Sequence, residues 1–137
     1  MATGQNKGKT IALWILRVVV GLGFLAAGGS KLAGAPAMVA TFAKIGLGQW
    51  FRILTGSLEV AGAIGLFVPR CAVYAASMLA VVMLGAIGFH FTRLGGNPVA
   101  PIVLLLLVVM IVWLGMSPSR SEAQSVGTRR RVVRPKP

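Results

Sequence analysis

Acidic residues are scarce in this sequence, which contains no aspartate and only two glutamates, Glu59 and Glu122. Fourteen lysines and arginines outnumber them, so the formal net charge is +12. A Ser-His-Asp triad lacks its acid, and no serine has a histidine–acid arrangement nearby. We therefore expect a protein that is not catalytic on its own.

Cysteine and histidine occur once each, as Cys71 and His90. One cysteine excludes an intramolecular disulfide and a Cys-x-x-Cys redox pair, and we expect Cys71 to be a small buried residue near a helix end. One histidine, one glutamate in an apolar run and one distant cysteine do not make a metal-ligand set. We expect no bound metal, haem, flavin or iron–sulfur cluster, so any electron transfer would need a partner protein or a quinone.

Charged residues make up only 12 % of the chain, whereas 56 % is hydrophobic and the mean hydropathy is +0.84. A soluble domain carries about a quarter charged residues. The apolar residues also form long blocks, and each transmembrane helix needs roughly 20 of them. Much of the positive charge lies at the two chain ends, beside apolar blocks, which predicts contact with lipid headgroups and not with nucleic acid.

The apolar blocks predict an all-α membrane protein with a bundle of four transmembrane helices, at about residues 11–33, 53–68, 71–91 and 99–116. Between the first two, Met38, Val39, Phe42 and Ile45 recur at helical spacing, which predicts a short amphipathic helix in the membrane interface. We therefore expect a polar N-terminal segment (1–10), a transmembrane domain (11–116) and a disordered basic tail (117–137).

Loop charge predicts the orientation of the spans. With four spans, both termini lie on the side of Arg70, and that side holds nine lysines and arginines against four on the other. The positive-inside rule then places both termini in the cytoplasm. On the opposite side, Trp50 and Arg52 are expected at headgroup level, where they anchor the start of the second span.

The tail after Ser117 carries a basic cluster of Arg129, Arg130, Arg131, Arg134 and Lys136. A basic residue near an anionic leaflet contributes about 1 kcal/mol to membrane binding. We therefore expect the cluster to contact anionic lipid headgroups at the cytoplasmic surface.

Glu59 interrupts the apolar run GSLEVAGAIGLFVP of residues 56–69. An ionisable group at mid-membrane costs about 2.5–3.5 kcal/mol on insertion scales, so it usually faces the bundle interior and a partner. Arg17 and Lys31 share one helical stripe of the first span, and Glu59 is expected at a depth between them. With His90 near the outer end of the third span, these residues predict a buried polar network or ligand pocket.

The sequence leaves two interpretations of this network open. In one, Glu59 pairs with a cation and fixes the packing of the first two spans, because glycines on its helix face imply close contact. In the other, Glu59, Lys31 and His90 form a pocket open to the outer leaflet, which holds a quinone-type headgroup or exchanges protons with it. Of the two, the sequence favours the packing interpretation.

Three segments occur in a characteristic order: RVVVGLGFLAAGGSKLAG in the first span, KIGLGQWF leading to LTGSLEVAGAIGLFVP in the second, and MLGAIGFHF closing the third. In this order and spacing the chain resembles the DoxX-like family over about residues 11–115. The resemblance implies a four-helix bundle in the bacterial inner membrane. Some members of that family look like subunits of membrane redox complexes, including a thiosulfate–quinone oxidoreductase, and others are linked to oxidative-stress partners.

The resemblance thus implies an accessory subunit of a membrane redox or oxidative-stress complex, with a quinone as candidate ligand. Two alternatives stay open: a binder or transporter of small lipophilic molecules that uses the Glu59 pocket, and a membrane-protein assembly factor that packs through glycine-rich faces. Distant eukaryotic relatives of the family act in the latter way. A bundle of four short helices is thin, so self-association is a further expectation.

Overall fold

The computed structural model describes residues 2–116, and every regular element in that range is helical. The helices are α1 (Ala2–Leu32), α2 (Pro36–Ile45), α3 (Gln49–Phe67), α4 (Ala72–Phe89) and α5 (Val99–Met116), with a π-helical turn at His90–Leu94 that extends α4. Helices α1, α3, α4 with its π turn, and α5 are long and apolar enough to cross a membrane. The predicted all-α architecture with four spans is therefore confirmed.

The predicted basic tail, residues 117–137, lies outside the described residues. The same holds for its cluster of Arg129, Arg130, Arg131, Arg134 and Lys136. Contact of that cluster with anionic lipid stays a prediction.

Two helices begin earlier than the sequence predicted. Helix α1 starts at Ala2, so the polar residues 2–10 continue the first span as helix, and no proline precedes Pro36 to interrupt it. Helix α3 starts at Gln49 instead of near Ile53, because Gly48 adopts a φ of 91° and turns the chain directly into the helix. The earlier start brings the polar side chains of Gln49 and Arg52 into the first turns of α3.

The four spans form a closed ring in which α1 packs on α3, α3 on α4, α4 on α5, and α5 on α1. Their interior is a continuous apolar core that includes Val20, Phe24, Leu66, Leu79, Val108 and Ile111. Large apolar side chains such as Leu22, Val81 and Leu106 cover the outside. In a bilayer that outer surface faces lipid, so the bundle is held together mainly by close packing of its interior.

Helix α2 is the short amphipathic helix that the sequence predicted. It packs against α3 and the π turn, burying Phe42 and Ile45 while Lys44 stays exposed. Pro36 opens its first turn, and Gly46, at a φ of 81°, ends it. Its position in the membrane interface stays a prediction.

Cys71 is exposed, contrary to the expectation of a buried residue. It lies in the short turn between α3 and α4, just before Ala72 begins the next helix. Residues 68–71 are all exposed, because this tight connection leaves the bundle and re-enters it without covering itself.

Candidate functional site

A buried ion pair joins α1 to α3. The ammonium Nζ of Lys31 donates a hydrogen bond to Glu59 Oε2 at 2.7 Å. Glu59 is 2 % exposed and the Lys31 side chain 15 %. The acid that interrupts the apolar run therefore has its partner inside the protein, and that partner is one of the two cations predicted for it.

Two glycines let the helices approach closely enough for this pair. A Cβ added at Gly28 would lie 2.8 Å from the carbonyl oxygen of Gly56, and one added at Gly56 would lie 3.1 Å from the carbonyl oxygen of Gly28. Lys31 and Glu59 each follow their glycine by one helical turn. Side chains tilt toward the N-terminus of their helix, so in antiparallel α1 and α3 these two lean toward each other.

Arg52 caps the end of α1 beside this site, and its predicted depth at headgroup level stays a prediction. It is buried, and its Nη1 donates to the backbone carbonyl of Lys31. That carbonyl belongs to the last turn of α1, where it also accepts the backbone N–H of Gly34 at 3.2 Å, and a cation there suits the helix dipole. The contact of Arg52 with the end of α1 was not predicted, because the sequence does not show where that helix end lies in three dimensions.

The hydrogen bonds of Arg52 continue into α2. Its Nε donates to Gln49 Oε1 at 2.7 Å, and Gln49 Nε2 donates to the Val39 carbonyl at 3.2 Å. The three-residue spacing of Gln49 and Arg52 is a signal that both lie on one helix face. It was missed because the predicted helix began only at about Ile53.

A cavity of about 520 Å³ opens beside the ion pair. Its wall is mostly apolar and comes from all five helices and the π turn. Six polar side chains line it: Lys31, Thr41, Thr55, Glu59, His90 and Asn97. The structure thus brings Glu59, Lys31 and His90 to one space, as the pocket interpretation required.

Three phenylalanines form an aromatic part of that wall. The Phe51 ring lies between the other two, with its centroid 5.9 Å from that of Phe42 and 5.7 Å from that of Phe89. The rings meet at interplanar angles of 56° and 70°. Aromatic rings also attract a further aromatic group in such tilted arrangements, so this part of the wall suits an aromatic ligand.

His90 begins the π turn and bonds to the helix backbone. Its Nδ1 lies 2.9 Å from the Ala86 carbonyl oxygen. A carbonyl oxygen only accepts, so Nδ1 carries the proton, and in the neutral imidazole Nε2 is left as an acceptor. The ring therefore offers a ligand one defined hydrogen-bonding atom.

Arg17 lies apart from this cavity. It is about four helical turns from Lys31 along α1, roughly 21 Å. Arg17 is 6 % exposed, its guanidinium lies 5.6 Å from the Trp14 ring centroid, and its Nε has no hydrogen-bond partner among residues 2–116. Both cations face the bundle interior, as their shared stripe predicted, but Glu59 lies within reach of Lys31 alone.

Comparison of the chain with known protein families gives a match over most of its length. The family model described as DoxX-like family matches residues 15–112, a range that contains Arg17, Lys31, Glu59 and His90. No curated protein and no solved structure matches the chain.

Proposed function

Because the chain belongs to the DoxX-like family, we propose that it is an accessory subunit of a membrane redox or oxidative-stress complex and holds a quinone-type molecule beside Lys31 and Glu59. The observation that carries this proposal is the cavity: an apolar space of about 520 Å³ with a buried ion pair in its wall.

The cavity has the size and lining that such a ligand needs. Ligand pockets commonly measure about 300–1,000 Å³ and are mostly apolar with a few polar groups that orient the ligand. Here the phenylalanines suit a planar ring, Lys31 can donate to a ring oxygen, and Glu59 and His90 can accept from that oxygen when it is a hydroxyl. The large apolar share of the wall suits a hydrocarbon tail.

An accessory role is proposed because the sequence offers little redox chemistry of its own. It contains one cysteine and one histidine. Electrons would therefore reside on the quinone and on a partner protein, with this chain positioning the quinone. The partner is expected to be an oxidoreductase that copurifies with the intact chain.

The test is retention of quinone by the purified protein. We expect wild-type protein, purified in mild detergent, to carry bound quinone that is detected by mass spectrometry of its lipid extract. Glu59→Gln removes the charge that holds Lys31 and should reduce this quinone at least tenfold. Ser57→Ala, on the exposed side of the same helix, is the matched control and should retain it.

Thermal unfolding of the same samples separates ligand binding from packing. If Glu59→Gln keeps its quinone and only lowers the melting temperature, the ion pair serves helix packing and the proposal is wrong. A wild-type preparation without quinone, which also fails to take up added quinone, would contradict it as well.

A second candidate function is binding of other small lipophilic molecules. It is favoured by the mostly apolar wall of the cavity. A different lipid enriched in the wild-type extract and absent from Glu59→Gln would support this alternative over the quinone. The third hypothesis, an assembly factor, stays a prediction from the family resemblance.

The location proposed for this multi-pass protein is the bacterial inner membrane, with both termini in the cytoplasm. Family membership and four apolar helices support a multi-pass protein. The orientation is supported by the distribution of lysines and arginines over the loops.

A further inference from the structure

We propose that the cavity selects a headgroup that donates hydrogen bonds, so that it holds a hydroquinone in preference to the corresponding quinone. This inference rests on the proposed function, and it concerns which redox form of the ligand is bound. It follows from the hydrogen bonds that the polar side chains of the cavity already make.

The two threonines that line the cavity each donate their only hydroxyl hydrogen to the backbone. Thr41 Oγ1 donates to the Ala37 carbonyl at 2.8 Å, and Thr55 Oγ1 shares its single hydrogen between the carbonyls of Phe51 and Arg52, at 3.0 and 3.1 Å. A hydroxyl has one hydrogen and two lone pairs. Toward a ligand, Thr41 and Thr55 are therefore acceptors.

His90 and Glu59 add further acceptors. Nδ1 of His90 donates to the Ala86 carbonyl, which leaves Nε2 of the neutral ring as an acceptor. Glu59 Oε2 receives the Lys31 bond, whereas Oε1 has no hydrogen-bond partner in the described part of the chain. An ionised carboxylate only accepts.

Two side chains of the cavity still offer hydrogens. Lys31 has two N–H groups beyond the one it gives to Glu59. The side-chain oxygen of Asn97 accepts the Val99 amide at 3.0 Å, so its NH₂ group remains. The lining of the cavity thus offers acceptors on four side chains, and donors on two that keep two N–H groups each.

The ion pair discriminates most sharply between the two ligand forms. An oxygen that accepts from Lys31 Nζ lies close to the Glu59 carboxylate, because that carboxylate is only 2.7 Å from the same nitrogen. A quinone carbonyl has no hydrogen to place between itself and the carboxylate, and two acceptors repel. A hydroquinone hydroxyl accepts from Lys31 and donates to Glu59 at once, so both partners are satisfied.

Preferential binding of the reduced form would change the redox balance of the ligand. If the hydroquinone binds tenfold more tightly than the quinone, the bound couple has a reduction potential about 30 mV higher than the free couple. The subunit would then hold the hydroquinone and release it less readily than the quinone.

The experiment compares three probes on the intact wild-type chain in lipid nanodiscs without oxygen. They are a decyl-tailed benzoquinone, its hydroquinone, and the dimethyl ether of that hydroquinone, which keeps the ring and tail but has no hydrogen to donate. Equilibrium binding of each is measured. We expect the hydroquinone to bind at least tenfold more tightly than either of the others.

Each result separates the two proposals. Equal binding of quinone and hydroquinone, tighter binding of the quinone, or tight binding of the ether would overturn this inference and leave the proposed function standing. Absence of binding by all three probes would overturn both. Because the comparison uses wild-type protein, it does not depend on a variant that folds.

Two variants test whether His90 contributes to the preference for hydroquinone over quinone. His90→Phe removes the ring acceptor while keeping a ring in the wall, and it should reduce the preference for hydroquinone several-fold. Thr92→Val is the matched control, since Thr92 bonds to the Gly88 carbonyl in the same way but does not line the cavity. An unchanged preference in His90→Phe would overturn the assignment of this discrimination to His90.

Discussion

At the scale of single residues, the Lys31–Glu59 pair is costly to bury and costlier to break. Transfer of both charges from water costs several kcal/mol per ion, which their attraction and hydrogen bond roughly offset. The pair is nearly enclosed, with Glu59 only 2 % exposed. It therefore specifies which faces of α1 and α3 meet, even where it adds little to stability.

The first prediction concerns the loss of one charge. Lys31→Met leaves Glu59 buried without a partner, and we expect the free energy of unfolding in detergent to fall by about 3 kcal/mol. The double variant Lys31→Met with Glu59→Met should recover most of that loss, because no charge remains buried. Lys44→Met, exposed on α2, is the control. A double variant as unstable as the single one would show that the pair is not the source of the loss.

The second prediction concerns Arg52. Arg52→Met removes the donors to the Lys31 carbonyl and to Gln49, and a charged hydrogen bond contributes about 1.5–3 kcal/mol. We expect a loss of about 2 kcal/mol in unfolding free energy. Arg70→Met, at an exposed turn, should change it little. If both variants lowered the free energy of unfolding equally, the loss would come from removing a positive charge and not from the contact of Arg52 with the end of α1.

At the scale of helices, α1 and α3 approach closely because glycines, which have no side chain, lie where the two helices meet. A Cβ added at Gly28 would lie 2.8 Å from the Gly56 carbonyl oxygen and 2.9 Å from Val60 Cγ2. Its neighbour Gly29 has nothing within 4 Å of such an atom. Although the two glycines are adjacent in sequence, Gly28 lies in the interface between α1 and α3 and Gly29 lies outside it.

The third prediction uses these neighbours as a matched pair. Gly28→Ala forces the helices apart, and we expect it to cost about 1–3 kcal/mol and to weaken binding in the adjacent cavity. Gly29→Ala should be neutral or should stabilise the protein by about 0.5–1 kcal/mol through helix propensity. Thermal unfolding of both variants measures this, and equal melting temperatures would contradict a glycine-mediated contact.

Element boundaries were predictable where proline or an unbroken apolar block marks them. Helix α5 begins at Val99, just after Pro98, and ends at Met116, as the sequence predicted. The start of α3 was not predictable in the same way, since Gln49 and Arg52 look like interfacial residues. Only their hydrogen bonds to Val39 and Lys31 make them compatible with a helix packed against its neighbours.

At the scale of the whole molecule, the fourth prediction is the orientation in the membrane. Both termini are expected in the cytoplasm because the side with the termini and Arg70 carries the excess of lysine and arginine. A fluorescent reporter that folds only in the cytoplasm should be active when fused at the C-terminus. A periplasm-specific reporter should be active when inserted at Gly96, in the exposed loop before α5. The reverse pattern would invert the topology.

The sequence by itself determined the number of spans, the amphipathic helix between the first two and the presence of an unusual acid at Glu59. It could do so because the bilayer demands long apolar segments and penalises a charge within them, and both are visible in one dimension. The tertiary structure alone decided that Lys31 and not Arg17 pairs with Glu59, that Arg52 caps α1, and that His90 shares their cavity. Those choices depend on the Gly28–Gly56 contact, which sets how near α1 lies to α3 and at which register the two helices meet.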